Sequence, residues 1–179
     1  GNWASDTAEL SFDQVRVPLA NPVGEAGRGF QMQMEQFQIE RLVGSYSATA
    51  SAAIALRRTI EYLQVRQAFG KPLLANQHLK YRLAELLAEV DMLREYNHAA
   101  AARIVDGQDA TRMATISKLK AGRLAREVAD TCLQYHGGMG YMEETWTSRY
   151  FRDARLLSIG GGADEVMLRI LTVLEGMGR

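Results

Sequence analysis

The stretch "LKYRLAELLAEVDML", residues 79–93, has the residue spacing that decides the fold. Its apolar residues recur at steps of four, three, four and three, which places them on one face of a helix. They are Leu79, Leu83, Leu86, Val90 and Leu93. The helix is predicted to start near Asn76 and to end at Asp106-Gly107, which is a good C-terminal stop. A long helix with one apolar face must bury that face against other helices.

Helical patterns also precede this stretch. The segments "FQMQMEQFQ" (30–38) and "ERLVGSYSATASAAIALRRTIEYLQVR" (40–66) predict a short helix that runs into, or kinks before, a long one. The second segment is rich in Ala and Ser, which allows close helix packing. In "AFGKPL" (68–73), Gly70 and Pro72 end the helical pattern.

The pattern continues to the end of the chain. Asp109 or Thr111 is predicted to cap a third long helix that ends at Gly137-Gly138. A short helix is expected over residues 144–154, and a last helix after three glycines at 160–162. The expected apolar positions of the last helix are Val166, Ile170, Val173 and Met177. Long helices joined by short loops predict an all-α fold, an antiparallel four-helix bundle.

Residues 1–27 have a different character. The alternation in "AELSFDQVRVP" (8–18) predicts one or two short strands, a β remnant at the N-terminus. Pro18, Pro22 and the glycines that follow predict a linker to the helical part.

The composition excludes several classes of function. The 179 residues are 47% hydrophobic and 23% charged with zero net charge, which argues against nucleic acid or an anionic membrane as the main partner. No apolar run is long enough to span a membrane. The single cysteine, Cys132, excludes an internal disulfide and a cysteine-based zinc site, and it favours a reducing compartment. The three histidines have no metal-ligand spacing, so we expect no metal site.

Four segments join a helix end to glycines or charges: "IERLV" (39–43), "RQAFGKPL" (66–73), "QYHGGMGYMEE" (134–144) and "RDARLLSIGGGADEV" (152–166). Each has a purely structural explanation when taken singly; for example, Asp164 could cap the last helix. Taken together and in this order, they resemble the C-terminal part of an acyl-CoA dehydrogenase. The resemblance covers nearly the whole chain, from "ASDT" (4–7) to "GADEV" (162–166).

The resemblance implies the domain organisation and the reaction. Residues 1–27 would be the end of the family's middle β-domain and a linker, and residues 28–179 its C-terminal helical domain, in a fragment of a longer chain. Members oxidise an acyl-CoA to the trans-2-enoyl-CoA: a carboxylate removes a proton from Cα, and FAD accepts a hydride from Cβ. The implied partners are acyl-CoA, an electron acceptor such as an electron-transfer flavoprotein, and further copies in a homodimer or homotetramer. The implied location is the bacterial cytoplasm or the mitochondrial matrix.

The resemblance also assigns cofactor contacts. Arg66, Phe69 and Gly70 match an R-x-x-F-G motif that contacts the FAD of a neighbouring subunit, where arginine suits a pyrophosphate. A Q-x-x-G-G motif with the same role is matched by Gln134, Gly137 and Gly138. The remaining FAD-binding candidates are Gln77, Ala163 and Glu165, the last two beside the flavin ring.

The position of the catalytic base differs among members. Many have a glutamate in the turn before the last helix, but this chain has glycine there, at Gly161 beside Gly160. Long-chain and isovaleryl members place the glutamate on the first long helix, directly before an arginine, and the matching pair is Glu40-Arg41. Glu40 is then the predicted base, Gly160 and Gly161 contact substrate, and Arg41 lies near the CoA phosphates or holds the local structure. From the residues alone, Glu40 could equally be a solvated side chain at a helix start.

Two other functions fit the same residues. One is an acyl-CoA oxidase-like flavoenzyme that passes electrons to oxygen. The other is a non-catalytic helical module kept for assembly. We favour a dehydrogenase for long or branched acyl chains, because the assembly module would have no use for the cofactor motifs.

Overall fold

The computed structural model describes residues 1–178, which form six α-helices and one two-stranded ribbon. The helices are α1 (Gly29–Val65), α2 (Gln77–Val105), α3 (Thr111–His136), α4 (Gly138–Tyr141), α5 (Trp146–Arg155) and α6 (Asp164–Leu174). The ribbon pairs β1 (Gln67–Ala68) with β2 (Lys71–Pro72) in antiparallel fashion. The predicted all-α class is confirmed.

The first helix is one continuous element of 37 residues. A break or kink near residue 39 was one of the two expected outcomes, and it does not occur. No proline lies between residues 23 and 71, so nothing interrupts the backbone hydrogen bonds. The helix ends at Arg66, whose backbone turns to an extended conformation and leads into the ribbon.

Three long helices enclose the main core. The apolar face predicted for α2 is confirmed, since Leu83, Leu86 and Val90 are at most 2% exposed. They pack against Leu56 and Leu63 of α1 and against the buried face of α3, which comprises Ala121, Leu124, Ala125, Val128, Ala129 and Cys132. Burial of Leu or Val stabilises a fold by roughly 1.5–3 kcal/mol per side chain.

The directions of the helices follow from contacts along their length. Ser45 in the first half of α1 bonds to the carbonyl of Ser117 in the first half of α3, and Tyr62 near the C-terminal end of α1 stacks on His136 at the C-terminal end of α3. These two helices therefore run parallel. Arg82 at the start of α2 pairs with Glu127 in the second half of α3, so α2 runs antiparallel to both.

A buried polar network fixes how the three helices align. The Ser45 hydroxyl donates to Asn97 Oδ1 at 2.9 Å, and Asn97 Nδ2 donates to Thr49 Oγ1 at 3.3 Å. Thr49 in turn donates to the carbonyl of Ser45 at 2.7 Å. Because an unpaired buried polar group is costly, a shift of one helix along another would break this network at a penalty.

Two expectations about local structure are wrong. Residues 1–28 contain no strand, and Phe12, Val15 and Val17 are exposed. A strand needs a neighbour for its backbone hydrogen bonds, and no other extended segment lies beside this one. In α6 the predicted face is not the buried one: Val166 and Val173 are exposed, whereas Met167 is fully buried, because only that side of α6 meets α3.

None of the helices formed by residues 1–178 combines the length and the apolar character needed to cross a bilayer.

Candidate functional site

A cavity of about 740 Å³ opens between α1, α3, α5 and the glycine turn. Its lining includes Glu40 and Arg41 from α1, Lys118 from α3, and Gly160 and Gly161 from the turn. The predicted base and the predicted substrate contacts are thus brought together by the fold, although they lie about 120 residues apart in the sequence. Pocket walls of this kind, largely apolar with a few polar groups, are typical of small-molecule sites.

Glu40 is one of two carboxylates in the lining of this cavity; the other is Asp153. Glu40 is exposed, and its Oε1 accepts a hydrogen bond of 2.8 Å from Gln36 Nε2, one turn earlier on α1. Glu35 makes the same kind of bond, accepting from Gln31 Nε2 at 3.2 Å, but it does not line the cavity. The two side chains differ mainly in which way the helix points them.

The glycine turn has a backbone conformation that favours glycine. Gly161 and Gly162 have φ values of +66° and +106°, in the left-handed region that other residues avoid. A Cβ atom at Gly162 would lie 2.5 Å from the terminal carbon of Met167, so this position is also closed by sterics. A Cβ at Gly161 would meet only Lys118 Cε, at 4.0 Å, so there is space for a side chain at that position.

Two cations lie buried beneath the turn. Lys118 is 6% exposed and its ammonium group donates a hydrogen bond to the carbonyl of Gly162. Arg41 is 8% exposed, sits over the ring of Phe37 at 5.6 Å, and its Nε has no hydrogen-bond partner. Burial lowers the pKa of both groups, and the nearby Asp164 carboxylate partly opposes this for Lys118.

The sequence reading passed over Lys118, although a signal was present. Lys118 lies three residues before Ala121 and seven before Ala125, and both are buried. It therefore occupies a position in the buried face of α3, where a lysine is rare without a partner. Its role could have been suspected from that position, but its partner could not.

The start of α6 differs from the capping expected for it. Asp164 is the first helical residue and Ala163 occupies the N-cap position, with no side-chain cap. The Asp164 carboxylate instead meets two arginines of α3, at 3.3 Å from Arg123 Nε and 3.3 Å from Arg126 Nη2. These pairs tie α6 to α3. Glu165 is exposed beside them.

The R-x-x-F-G residues lie at the far end of α1. Phe69 and Gly70 form the tip of the β1–β2 ribbon, with φ values of +52° and +77°. The Phe69 ring is fully exposed, and a non-glycine residue in this conformation is uncommon. Arg66 and Gln77, on either side of the ribbon, are exposed as well.

The Q-x-x-G-G residues lie at the same end of the bundle, because α1 and α3 run parallel. Gln134, Gly137 and Gly138 are exposed, and Gly137 has a φ of +61°. No atom lies within 4 Å of a Cβ built on Gly137 or Gly138, so another molecule could approach this backbone closely.

The candidate residues thus form two groups. Along α1, Glu40 and Val65 are separated by 25 residues, or roughly 38 Å at 1.5 Å per residue. Ala163 and Glu165 belong to the group around Glu40, whereas the two glycine motifs belong to the other. The two groups are therefore well separated along α1.

Aromatic packing supports the end of the bundle that carries the motifs. The His136 ring stacks on Tyr62 at 4.2 Å and meets Trp146 edge-on at 5.4 Å, while Arg58 lies 4.5 Å above the Trp146 ring. His136 Nδ1 lies 2.7 Å from the carbonyl of Cys132, and burial lowers its pKa. This agrees with a structural role. No group of three or more potential metal ligands occurs in the part of the chain that the structure describes.

Comparison with known proteins identifies the family. Residues 27–173 match the family described as acyl-CoA dehydrogenase, C-terminal domain. The chain belongs to the acyl-CoA dehydrogenase family. It is 37% identical over 164 residues to the probable acyl-CoA dehydrogenase YdiO of Escherichia coli, covering 92% of this chain and 43% of the relative. It is 33% identical to the mitochondrial long-chain specific acyl-CoA dehydrogenase of Sus scrofa, covering 96% of this chain and 40% of that protein.

Solved structures of family members share the fold. Butyryl-CoA dehydrogenase from Megasphaera elsdenii superposes with a TM-score of 0.88 at 33% identity, over 92% of this chain and 43% of that one. A putative acyl-CoA dehydrogenase from Mycobacterium smegmatis gives 0.91 at 33% identity, over 94% and 45%. The chain spans less than half the length of these relatives. Residues 27–173 correspond to the C-terminal domain of the family.

Proposed function

We propose that this chain supplies the catalytic base and part of two flavin sites to an FAD-dependent acyl-CoA dehydrogenase, and that Glu40 is the base. The observation that supports it is the shared cavity: Glu40 lines the same space as Gly161, the turn position that holds no carboxylate in this chain. A proton at Cα of a bound thioester needs one carboxylate within reach. The cavity lining holds two, Glu40 and Asp153, and Asp153 Oδ1 already accepts a hydrogen bond from the backbone N–H of Asn2 at 2.6 Å.

The residues fit a bound FAD in two places. When bound, the flavin supplies hydride acceptance, which no side chain of this chain can provide. At the far end of the bundle, Gly137 and Gly138 leave open backbone, and Arg66 adds a guanidinium suited to a pyrophosphate. The distance between the two groups of candidate residues supports contact with two different FAD molecules, one of them belonging to a neighbouring copy.

The buried position of Arg41 favours one of its two predicted roles. A side chain that is 8% exposed and packed over Phe37 is poorly placed to reach the phosphates of CoA. We propose that Arg41 holds the glycine turn in place by packing against it, since a Cβ built on Gly162 would lie 4.0 Å from Arg41 Nε. The preference for long or branched acyl chains, and the identity of the electron acceptor, remain part of this proposal and are supported by the position of Glu40 alone.

The test uses a protein that carries this chain together with the N-terminal half found in its relatives. Glu40→Gln should leave FAD and acyl-CoA bound while anaerobic bleaching of the flavin by substrate slows by at least about a hundredfold, the scale of lost acid–base catalysis. Glu35→Gln is the matched control, because Glu35 has the same type of hydrogen bond on the same helix but lies outside the cavity. It should reduce flavin at the parent rate.

A second variant tests directly whether a carboxylate in the glycine turn can replace Glu40. Adding Gly161→Glu to Glu40→Gln should restore part of the rate, since a side chain has room there and Lys118 lies beside it. The left-handed backbone at Gly161 costs a non-glycine residue about 1–2 kcal/mol, so full recovery is not expected. Bleaching of the Glu40→Gln protein at near the parent rate would show that the base lies elsewhere.

A further inference from the structure

A buried lysine with a single hydrogen bond needs an explanation, and Lys118 is such a residue. Its ammonium group carries three N–H donors, and among the described residues it has one partner, the carbonyl of Gly162. It has no carboxylate within 4 Å, although Asp164 is close enough to act on its charge. A leucine or methionine at this place on α3 would avoid the cost of burying a charge.

The partner of Lys118 is the part of the turn with the fewest other restraints. Gly161 and Gly162 both have positive φ values, and a glycine backbone has more conformations available than any other. The N–H of Gly160 bonds to the carbonyl of Leu156, and the N–H of Met167 bonds to that of Ala163. Between them, no backbone–backbone hydrogen bond among residues 1–178 holds Gly161 or Gly162. The ammonium group of Lys118 is therefore the strongest polar restraint on this part of the turn.

The restraint comes from a rigid support. Lys118 lies in the first half of α3, beside residues that are almost completely buried. Four residues further on, Gly122 lets α3 approach the segment before the turn so closely that a Cβ there would lie 2.8 Å from the carbonyl oxygen of Leu157. On the other side of the turn, Arg123 and Arg126 bind Asp164. The turn is thus held by α3 before, within and after its glycines.

We propose that Lys118 is a positioning residue, whose hydrogen bond to the Gly162 carbonyl fixes the glycine turn as the wall of the cavity opposite Glu40. The role in catalysis depends on the function proposed above, whereas the restraint on the turn does not. A substrate carbon must be positioned relative to its base with a precision of a fraction of an ångström, because a displacement of about 1 Å can cost about a hundredfold in rate. A turn that samples several conformations would leave the substrate carbon in several positions relative to the base.

Hydrogen exchange in the 179-residue chain tests the restraint without any cofactor. Lys118→Met keeps the length and apolar stem of the side chain but removes its donors. Amides of Gly160 and Met167, whose N–H groups bond to the carbonyls of Leu156 and Ala163 at the two ends of the turn, should exchange at least about tenfold faster, while core amides of α2 keep their protection. Lys120→Met is the matched control: Lys120 is exposed on the same helix, two residues away, and its loss should leave the turn unchanged.

A donor-retaining variant separates the hydrogen bond from simple packing. Lys118→Arg should return the exchange of the Gly160 and Met167 amides to within about threefold of the parent. If Lys118→Met exchanges like the parent at the turn, or if it loosens the turn and α2 equally, the proposal is overturned. It is also overturned if Lys118→Arg is as loose as Lys118→Met. Should Lys118→Met not fold, Lys118→Leu, which also lacks donors, replaces it with the same expectations.

Kinetics of the longer, flavin-containing protein then test the link to catalysis. Lys118→Met should lower kcat by about tenfold or more with little change in the KM for acyl-CoA, because the turn orients the substrate more than it binds it. Lys120→Met should change neither. Loss of turn protection with unchanged kcat would reject the catalytic role but keep the restraint. If the parent protein oxidises no acyl-CoA, the proposed function fails while the exchange result still stands.

Discussion

Replacing Gly122 with alanine should destabilise the fold, although alanine is the better helix former. Gly122 lies inside α3, where the change would ordinarily stabilise a protein by about 1 kcal/mol. The new Cβ would lie 2.8 Å from the carbonyl oxygen of Leu157 and 2.9 Å from Ser158 Oγ, whereas ordinary contacts begin at 3.4 Å. The segment before the glycine turn must therefore move by about 0.6 Å.

The magnitude follows from two opposed terms. Overpacking of this kind costs about 1–3 kcal/mol, and the upper end applies because the first atom met belongs to the backbone and cannot rotate away. After subtraction of the helix-propensity gain of about 1 kcal/mol, Gly122→Ala should lower the free energy of unfolding by about 2 kcal/mol. For a chain of this size, that corresponds to a decrease in Tm of about 4–8 °C.

Gly44 offers a matched control in the same protein. It too lies inside a long helix, α1, but a Cβ there would meet nothing within 4 Å. Gly44→Ala should therefore raise the free energy of unfolding by about 1 kcal/mol. Urea unfolding of both variants, followed by circular dichroism at 222 nm, measures a difference of about 3 kcal/mol between them. A Gly122→Ala protein as stable as the parent would refute the close contact between α3 and residues 157–158.

Other predictions concern buried groups. Cys132 is fully buried and its pKa is raised to about 11 by desolvation, so the native protein should not react with a thiol reagent at pH 8, whereas the unfolded chain should react at once. Burial lowers the pKa of His136 below 6.5, so the unfolded state binds the proton better. The free energy of unfolding should therefore fall as the pH drops below about 6.5, by at most about 1.4 kcal/mol per pH unit. In urea titrations, His136→Gln should remove this part of the pH dependence, whereas His78→Gln, at an exposed position, should not. Leu86→Ala should lower the free energy of unfolding by about 2–5 kcal/mol, because Leu86 is fully buried. Leu168→Ala, at a half-exposed position, should lower it by less than about 1 kcal/mol. Equal losses would contradict the assignment of the core.

The sequence allowed the bundle to be predicted because its information is local and periodic. The spacing of Leu83, Leu86 and Val90 identifies a buried face without any knowledge of what it packs against. The same reasoning failed for α6, where Val166 and Val173 fit a helical period as well as Met167 does. Only the position of α3 decides which side is buried, and that position is not encoded in the eleven residues of α6.

The prediction of strands in residues 8–18 was wrong for a related reason. Alternating apolar residues favour a strand, but a strand forms only where another one supplies hydrogen-bond partners. Lys118 and Asp164 show the same limit for the site. A lysine in a buried face and an aspartate before a helix were visible in the sequence, but their actual partners, Gly162 and two arginines, lie about 40 residues away along the chain. The pairing of Glu40 with the glycine turn was reached only through the resemblance to the family.

The length of α1 has a consequence for how two sites keep their mutual geometry. The helix is a single rod that carries Glu40 near one end and leads directly into Arg66 at the other, without a loop that could absorb a change. Each residue of a helix adds 1.5 Å and turns the chain by about 100°. Inserting one residue near Ala53 would rotate one set of candidate residues by more than a quarter turn relative to the other while leaving every residue present. The number of residues in α1 therefore sets both the distance and the relative orientation of its two ends. Side chains along the helix can change during evolution far more easily than the number of residues in it.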